Sequence, residues 1–247
     1  MSLLNYTLRI GDSSLILAQR LAEWCTNGPT LEEDIALTNI SLDLFGQANG
    51  FLEYAATLDG VKTADDFAFK RNENQYYNFL ITEIENGHFG DTIIRQFLFS
   101  AYLYLFFQKL ATSKDEVLSA LAAKSLKEIK YHLKHCSSWV IRLGDGTNES
   151  NEKIQSSINK IWEYTGELFE LDQLEKDLIK KEIAIDREAL KPEWDKIINI
   201  TLIQAKLTRP KDQIMKTGGN KGIHTNHLAV LLKEMQFIPR KYPDAKW

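Results

Sequence analysis

Cysteine, proline and histidine are scarce in this chain, and each scarcity closes off a class of explanation. The 247 residues hold two cysteines, Cys25 and Cys136, which cannot make a disulfide framework and give no sign of an oxidising compartment. Five prolines and 13 glycines are too few for a collagenous or low-complexity chain. The most apolar run, Phe97–Phe107, covers 11 residues. As helix that is about 17 Å, where a bilayer core needs about 30 Å. Met1 to Tyr6 shows no charged region leading into an apolar stretch, so no signal peptide is expected and the implied setting is the cytoplasm. Neither charge sign dominates: 30 Lys+Arg against 34 Asp+Glu gives −4, which supplies no electrostatic reason to expect nucleic acid as a partner. With 44% hydrophobic and 26% charged residues, what remains is an ordinary folded globular protein.

Helical periodicity fills the chain. An amphipathic segment over about 8–24 ends at Asn27-Gly28-Pro29, a Gly/Pro stop. From Thr30, an N-cap residue, Leu37, Ile40, Leu44, Ala48 and Phe51 repeat every three or four positions and predict a long helix to about Leu58. Residues 60–88 are polar and weakly periodic and predict a connection with a short helix inside it. The segment 89–112 is apolar nearly all round, which predicts a helix covered on most sides. A stripe of Leu118, Leu121, Ser125, Ile129, His132, Cys136 and Val140 runs to the stop at Gly144-Asp145-Gly146. Ile154, Ile158, Ile161, Trp162, Thr165, Leu168 and Phe169 predict a fifth helix. Pro192 suits the first turn of a sixth, and Leu228, Leu231, Leu232, Met235 and Ile238 mark the last. No run alternates as strands do. The expected class is all-α, a long-helix bundle.

Long-helix bundles raise the ferritin-like di-iron site, built from a Glu on each of two helices and a Glu-x-x-His on each of two others. Residues three apart share a helix face, so the motif can be looked for directly. Only five histidines are present: His88, His132, His135, His224 and His227. The single literal Glu-x-x-His, Glu85 to His88, has Asn-Gly at its centre and reads as a turn. Glu128, His132 and His135 share a credible helix face and supply half a site at most. His224 and His227 sit where a loop enters the last helix and read as capping and packing. Asn39, Asp43 and Gln47 form an i, i+4, i+8 stripe, and Asp91 and Arg95 are spaced as a pair; both read as a satisfied polar network inside a bundle. Gln47 carries no charge to offset iron. The loop Thr217 to Gly222, with Lys216 and Lys221, lacks P-loop spacing and reads as a tight reversal. Cys25 and Cys136 read as core thiols, and no Gly-x-Ser-x-Gly is present.

Several blocks taken in order resemble one family. They are Tyr6 to Asp12, Gln19-Arg20-Leu21-x-Glu23-Trp24-Cys25, Asn39-Ile40-x-Leu42-Asp43-Leu44-x-Gly46-Gln47-Ala48, Gly90 to Ile93, Lys127-Glu128-x-x-Tyr131-His132-Leu133, Thr217-Gly218-Gly219-x-Lys221-Gly222-x-His224-Thr225-x-His227-Leu228 and Glu234-Met235-Gln236. This pattern is similar to that of the C-type subunits of bacterial phenylacetyl-CoA ring epoxidases. The resemblance implies one ferritin-like domain over 1–247, with a core bundle at about 8–171 and a C-terminal helical extension at about 172–247. It also implies a non-catalytic role: the di-iron centre belongs to a homologous A-type subunit, a small B-type subunit joins it, and a reductase supplies electrons from NADPH. No cofactor is then expected in this chain. Asp43, Gln47, Asp91, Glu128 and His132 become remnants at an old metal position. Gln75, Tyr76, Tyr77 and Asn78, within the family's Arg71 to Asn78 segment, become the contact for CoA at the boundary between subunits, with Lys176, Asp177 and Leu178 as a second. Two other functions stand against this one. The first is an autonomous di-iron oxygenase using Glu128, His132, Asp43 and the pair Glu163 and Glu167. The second is a CoA-binding bundle without redox chemistry.

Overall fold

Good caps set most of the helix limits. In the computed structural model, which describes residues 2–243, Thr30 Oγ1 accepts from Glu33 N to start α2 (Leu31–Asp59), and Gly60, at φ +75°, ends it in the left-handed conformation. α1 (Ser2–Ala22) begins earlier than periodicity indicated and stops two residues sooner, so Cys25 lies on an exposed turn rather than in the core. The two helices run antiparallel: Ser41 Oγ donates to Ala18 O at 2.8 Å, while Leu52 and Phe51 crowd Gly11. Two short helices follow, α3 (Ala64–Phe69) and α4 (Leu80–Glu83).

The second set starts with α5 (Phe89–Leu110), whose apolar stretch is buried almost throughout. Each fully buried Phe or Leu there contributes about 2 kcal/mol. α6 (Glu116–Gly144) is capped by Asp115 and buries the predicted stripe, with Leu121 alone half-exposed. α7 (Asn148–Ile161) is shorter than predicted. Beyond Ile161 the backbone tightens into 3-10 turns at Trp162–Tyr164 and Gly166–Phe169, where Thr165 Oγ1 donates to Trp162 O and the Met215 side chain closes on Gly166. α8 (Gln173–Ile179) and α9 (Lys191–Gln204, with proline in its first turn) complete this set. Trp194 of α9 donates to Leu98 O and packs its ring against Phe169 and Trp162. α10 (Asn226–Met235) and α11 (Phe237–Lys241) end the chain.

Contacts divide the chain into two compact units. One runs to Glu85 and resumes at Gly218; the other is Asn86–Thr217. The first has its own apolar core, in which Leu8, Ile16, Leu52, Phe67 and Tyr76 pack with Leu228, Leu231 and Leu232 of α10. Among the described residues there is no strand, and no helix is long and apolar enough to cross a membrane.

Candidate functional site

The polar connection at 60–88 turns out to hold buried charge. Arg71 pairs with both oxygens of Asp12, donates to Phe67 O and Gln75 O, and lies 4.1 Å above the Tyr76 ring. Burial alone would lower the Arg71 pKa; the Asp12 carboxylate outweighs it and raises it. Tyr76 is itself sealed in: its hydroxyl donates to Ala68 O, and Gln236 Nε2 reaches that hydroxyl at 2.8 Å. Burial pushes its phenol up to about 12.

A second buried cluster ties the loop before α10 to α4. His224 and Glu83 are both fully enclosed, with Nδ1 2.9 Å from Glu83 Oε2 and Nε2 2.9 Å from Tyr76 O. Glu83 also accepts from Thr225 N at 2.6 Å and from Asn78 Nδ2 at 3.0 Å. Arg20 donates to the Glu83 and His227 carbonyls, binding α1 to both segments. The loop's reversal needs glycine at Gly222, where φ is +73° and a Cβ would run into Asn74 O. Sequence pattern marked the Gly-rich loop and His224, yet Glu83 gave no signal, because its histidine partner lies 141 residues away.

In the second unit Arg187 does the same work. Its guanidinium clamps both oxygens of Glu175 and donates to the carbonyls of Glu167, Leu168 and Glu170. Neither residue stood out in the sequence, where 176–181 reads as an exposed face; Lys176, Lys180 and Lys181 are indeed exposed.

The predicted CoA contacts are therefore unequal in access. Tyr76 and Asn78 are spent inside the protein, while Gln75 is exposed and Tyr77 half-buried, its N–H donating to Asp12. On α8, Lys176 and Asp177 are exposed and Leu178 is buried.

A family model described as "Phenylacetic acid catabolic protein" matches residues 1–247. The chain belongs to this family. It is also 46% identical over 242 residues to the Escherichia coli (strain K12) protein described as the C subunit of 1,2-phenylacetyl-CoA epoxidase, covering 98% of both chains. Its fold is the family's ferritin-like, all-α one.

Members with this fold invite a test of the predicted metal positions. On α2, Asn39 is exposed, Asp43 half-buried and Gln47 buried, so the stripe turns from solvent to interior rather than lying wholly inside. Asp91 completes the capping box of α5 with His88, and Lys160 Nζ lies 3.6 Å from its Oδ2. Arg95 donates to Asn86 Oδ1 at 2.7 Å. On α6, His132 is buried and Glu128 half-buried. Glu163 and Glu167 fall in separate 3-10 turns, and Glu163 pairs with Lys216, so they do not share the helix face predicted for them. Among the described residues, no group of three His, Cys, Asp or Glu side chains is placed to hold a metal ion. An amide at 47 and a lysine cation against Asp91 do not fit the donor chemistry of a di-iron centre.

Proposed function

We propose that this chain is the non-catalytic structural subunit of a cytoplasmic, multicomponent phenylacetyl-CoA ring epoxidase. It pairs with an A-type subunit that carries the di-iron centre and with a small B-type subunit. The observation that carries the reading is 46% identity over 98% of both chains with a protein described as the C subunit of 1,2-phenylacetyl-CoA epoxidase. The donor chemistry supports it from the other side. Buried carboxylates at Asp12, Glu83 and Glu175 are committed to Arg71, His224 and Arg187, which leaves them unsuited to charge-balance iron.

In this reading the chain's task is to hold shape and to offer CoA a few surface groups. Gln75 and Tyr77 are the accessible members of the first predicted contact, Lys176 and Asp177 of the second. Co-expression tests the role. Given the small B-type subunit, reductase, NADPH, oxygen and phenylacetyl-CoA, epoxide should form when this chain is present together with the A-type subunit. Turnover by this chain without that catalytic partner overturns the reading. In the reconstituted complex, the double variant Gln75→Ala/Tyr77→Ala should raise KM for phenylacetyl-CoA by about tenfold with kcat nearly unchanged, as lost uniform binding does.

A further inference from the structure

The outer face of α6 carries a row of lysines. Lys124, Lys127, Lys130 and Lys134 are all exposed, and among the described residues none of their ammonium groups makes a hydrogen bond or ion pair. Their spacing of three, three and four places them along one side of the helix over about 15 Å. Several surface lysines elsewhere are matched at i, i+4: Lys70 with Asp66, Lys153 with Glu149, Lys191 with Asp195. On α6, Lys130 and Lys134 lie at i, i+4 and Lys124, Lys127 and Lys130 follow one another at i, i+3, so like charges adjoin and repel; Lys124 alone has an acid, Glu128, four residues on. The acids nearest the row on this helix are Glu128, half-buried at its edge, and Glu116, two turns before it.

Amid the lysines stands Tyr131, half-exposed at 50%. Its ring stacks on His135 with centroids 6.0 Å apart and meets the buried His132 edge-on at 6.3 Å. An aromatic side chain held in place and ringed by unmatched charge is the composition of an interface anchor.

We infer that the face of α6 from Lys124 to Lys134 is a docking surface for a protein that presents a row of carboxylates, with Tyr131 as its apolar contact. A convex helix face has no concavity to enclose a small anion, which argues against a free nucleotide. One narrow stripe on a chain of net charge −4 argues against nucleic acid. A matching acidic row would relieve the lysine repulsion and steer the encounter. The inference rests on the subunit reading only in taking the partner to be another protein of the same assembly.

Lysine acylation rates, measured on the full chain alone and in the co-expressed assembly, test it. All four lysines should react about tenfold more slowly in the assembly at low salt, and the protection should fade as salt screens the contact. Equal rates in a formed assembly overturn the inference, as does protection that salt leaves untouched. Size-exclusion chromatography reports separately whether an assembly forms. Where none forms, the subunit reading fails and a 20-residue polyglutamate peptide decides the surface. Salt-sensitive binding, weakened about tenfold by Lys124→Ser/Lys127→Ser/Lys130→Ser/Lys134→Ser and reduced by Tyr131→Ala, supports it. Binding indifferent to these changes, no binding, or equal affinity for duplex DNA overturns it.

Discussion

His224→Ala should destabilise the protein by about 3–5 kcal/mol, read from urea unfolding near pH 6, because it leaves the Glu83 carboxylate buried without its cation. Both imidazole nitrogens of His224 face acceptors, Glu83 Oε2 and Tyr76 O. A neutral imidazole donates from one nitrogen only, so this geometry calls for the imidazolium form. Burial pushes the His224 pKa down, but the hydrogen bond and charge of Glu83, with the Tyr76 carbonyl, carry it above its usual 6.5. The sign follows from linkage. A folded-state pKa above the unfolded one gives stability that is complete below about pH 6.5 and is lost as pH rises through the elevated value. The wild-type chain should therefore lose stability as pH rises above about 6.5, and His224→Ala should flatten that part of the profile. His224→Gln, which keeps one hydrogen bond, should fall between the two. A wild-type profile flat across this window would show that His224 is not charged.

Arg187→Ala is expected to cost about as much, 3–5 kcal/mol, measured as a lowered midpoint in thermal or urea unfolding. The side chain is 2% exposed, and it satisfies a buried carboxylate together with three backbone carbonyls. Deleting it strands the Glu175 carboxylate and the Glu167 and Leu168 carbonyls in the interior. Arg187→Lys keeps the charge but not the planar fork, and should recover only part of the loss. The double change Arg187→Met/Glu175→Leu removes both charges and should be less damaging than Arg187→Ala alone, since the cost lies chiefly in the unpaired ion.

These two clusters also mark the boundary of what the sequence could tell. Local features were legible: the Thr30 cap, the Asn86-Gly87 turn with Gly87 at φ +58°, the stop after Gly144 and the covered α5 all follow from neighbouring residues. The apolar period through Ile158, Trp162, Thr165 and Phe169 was legible as burial, and all four residues are buried. It misled about the backbone, because α and 3-10 turns bury similar spacings over one or two turns. The charged interior was hidden for a different reason. Glu83 with His224, and Asp12 with Arg71, are joined by folding across long stretches of chain, and an isolated Arg or Glu reads as surface. The family blocks fared better: Asp12, Arg20 and His224 all lie inside them, and each holds a buried interaction.

Iron counted per polypeptide after expression in iron-rich medium, without the A-type subunit, tests the central claim most directly. The account predicts well under one iron in this chain alone, and about two per pair once that catalytic partner is co-expressed. About two irons bound by the isolated chain would contradict it.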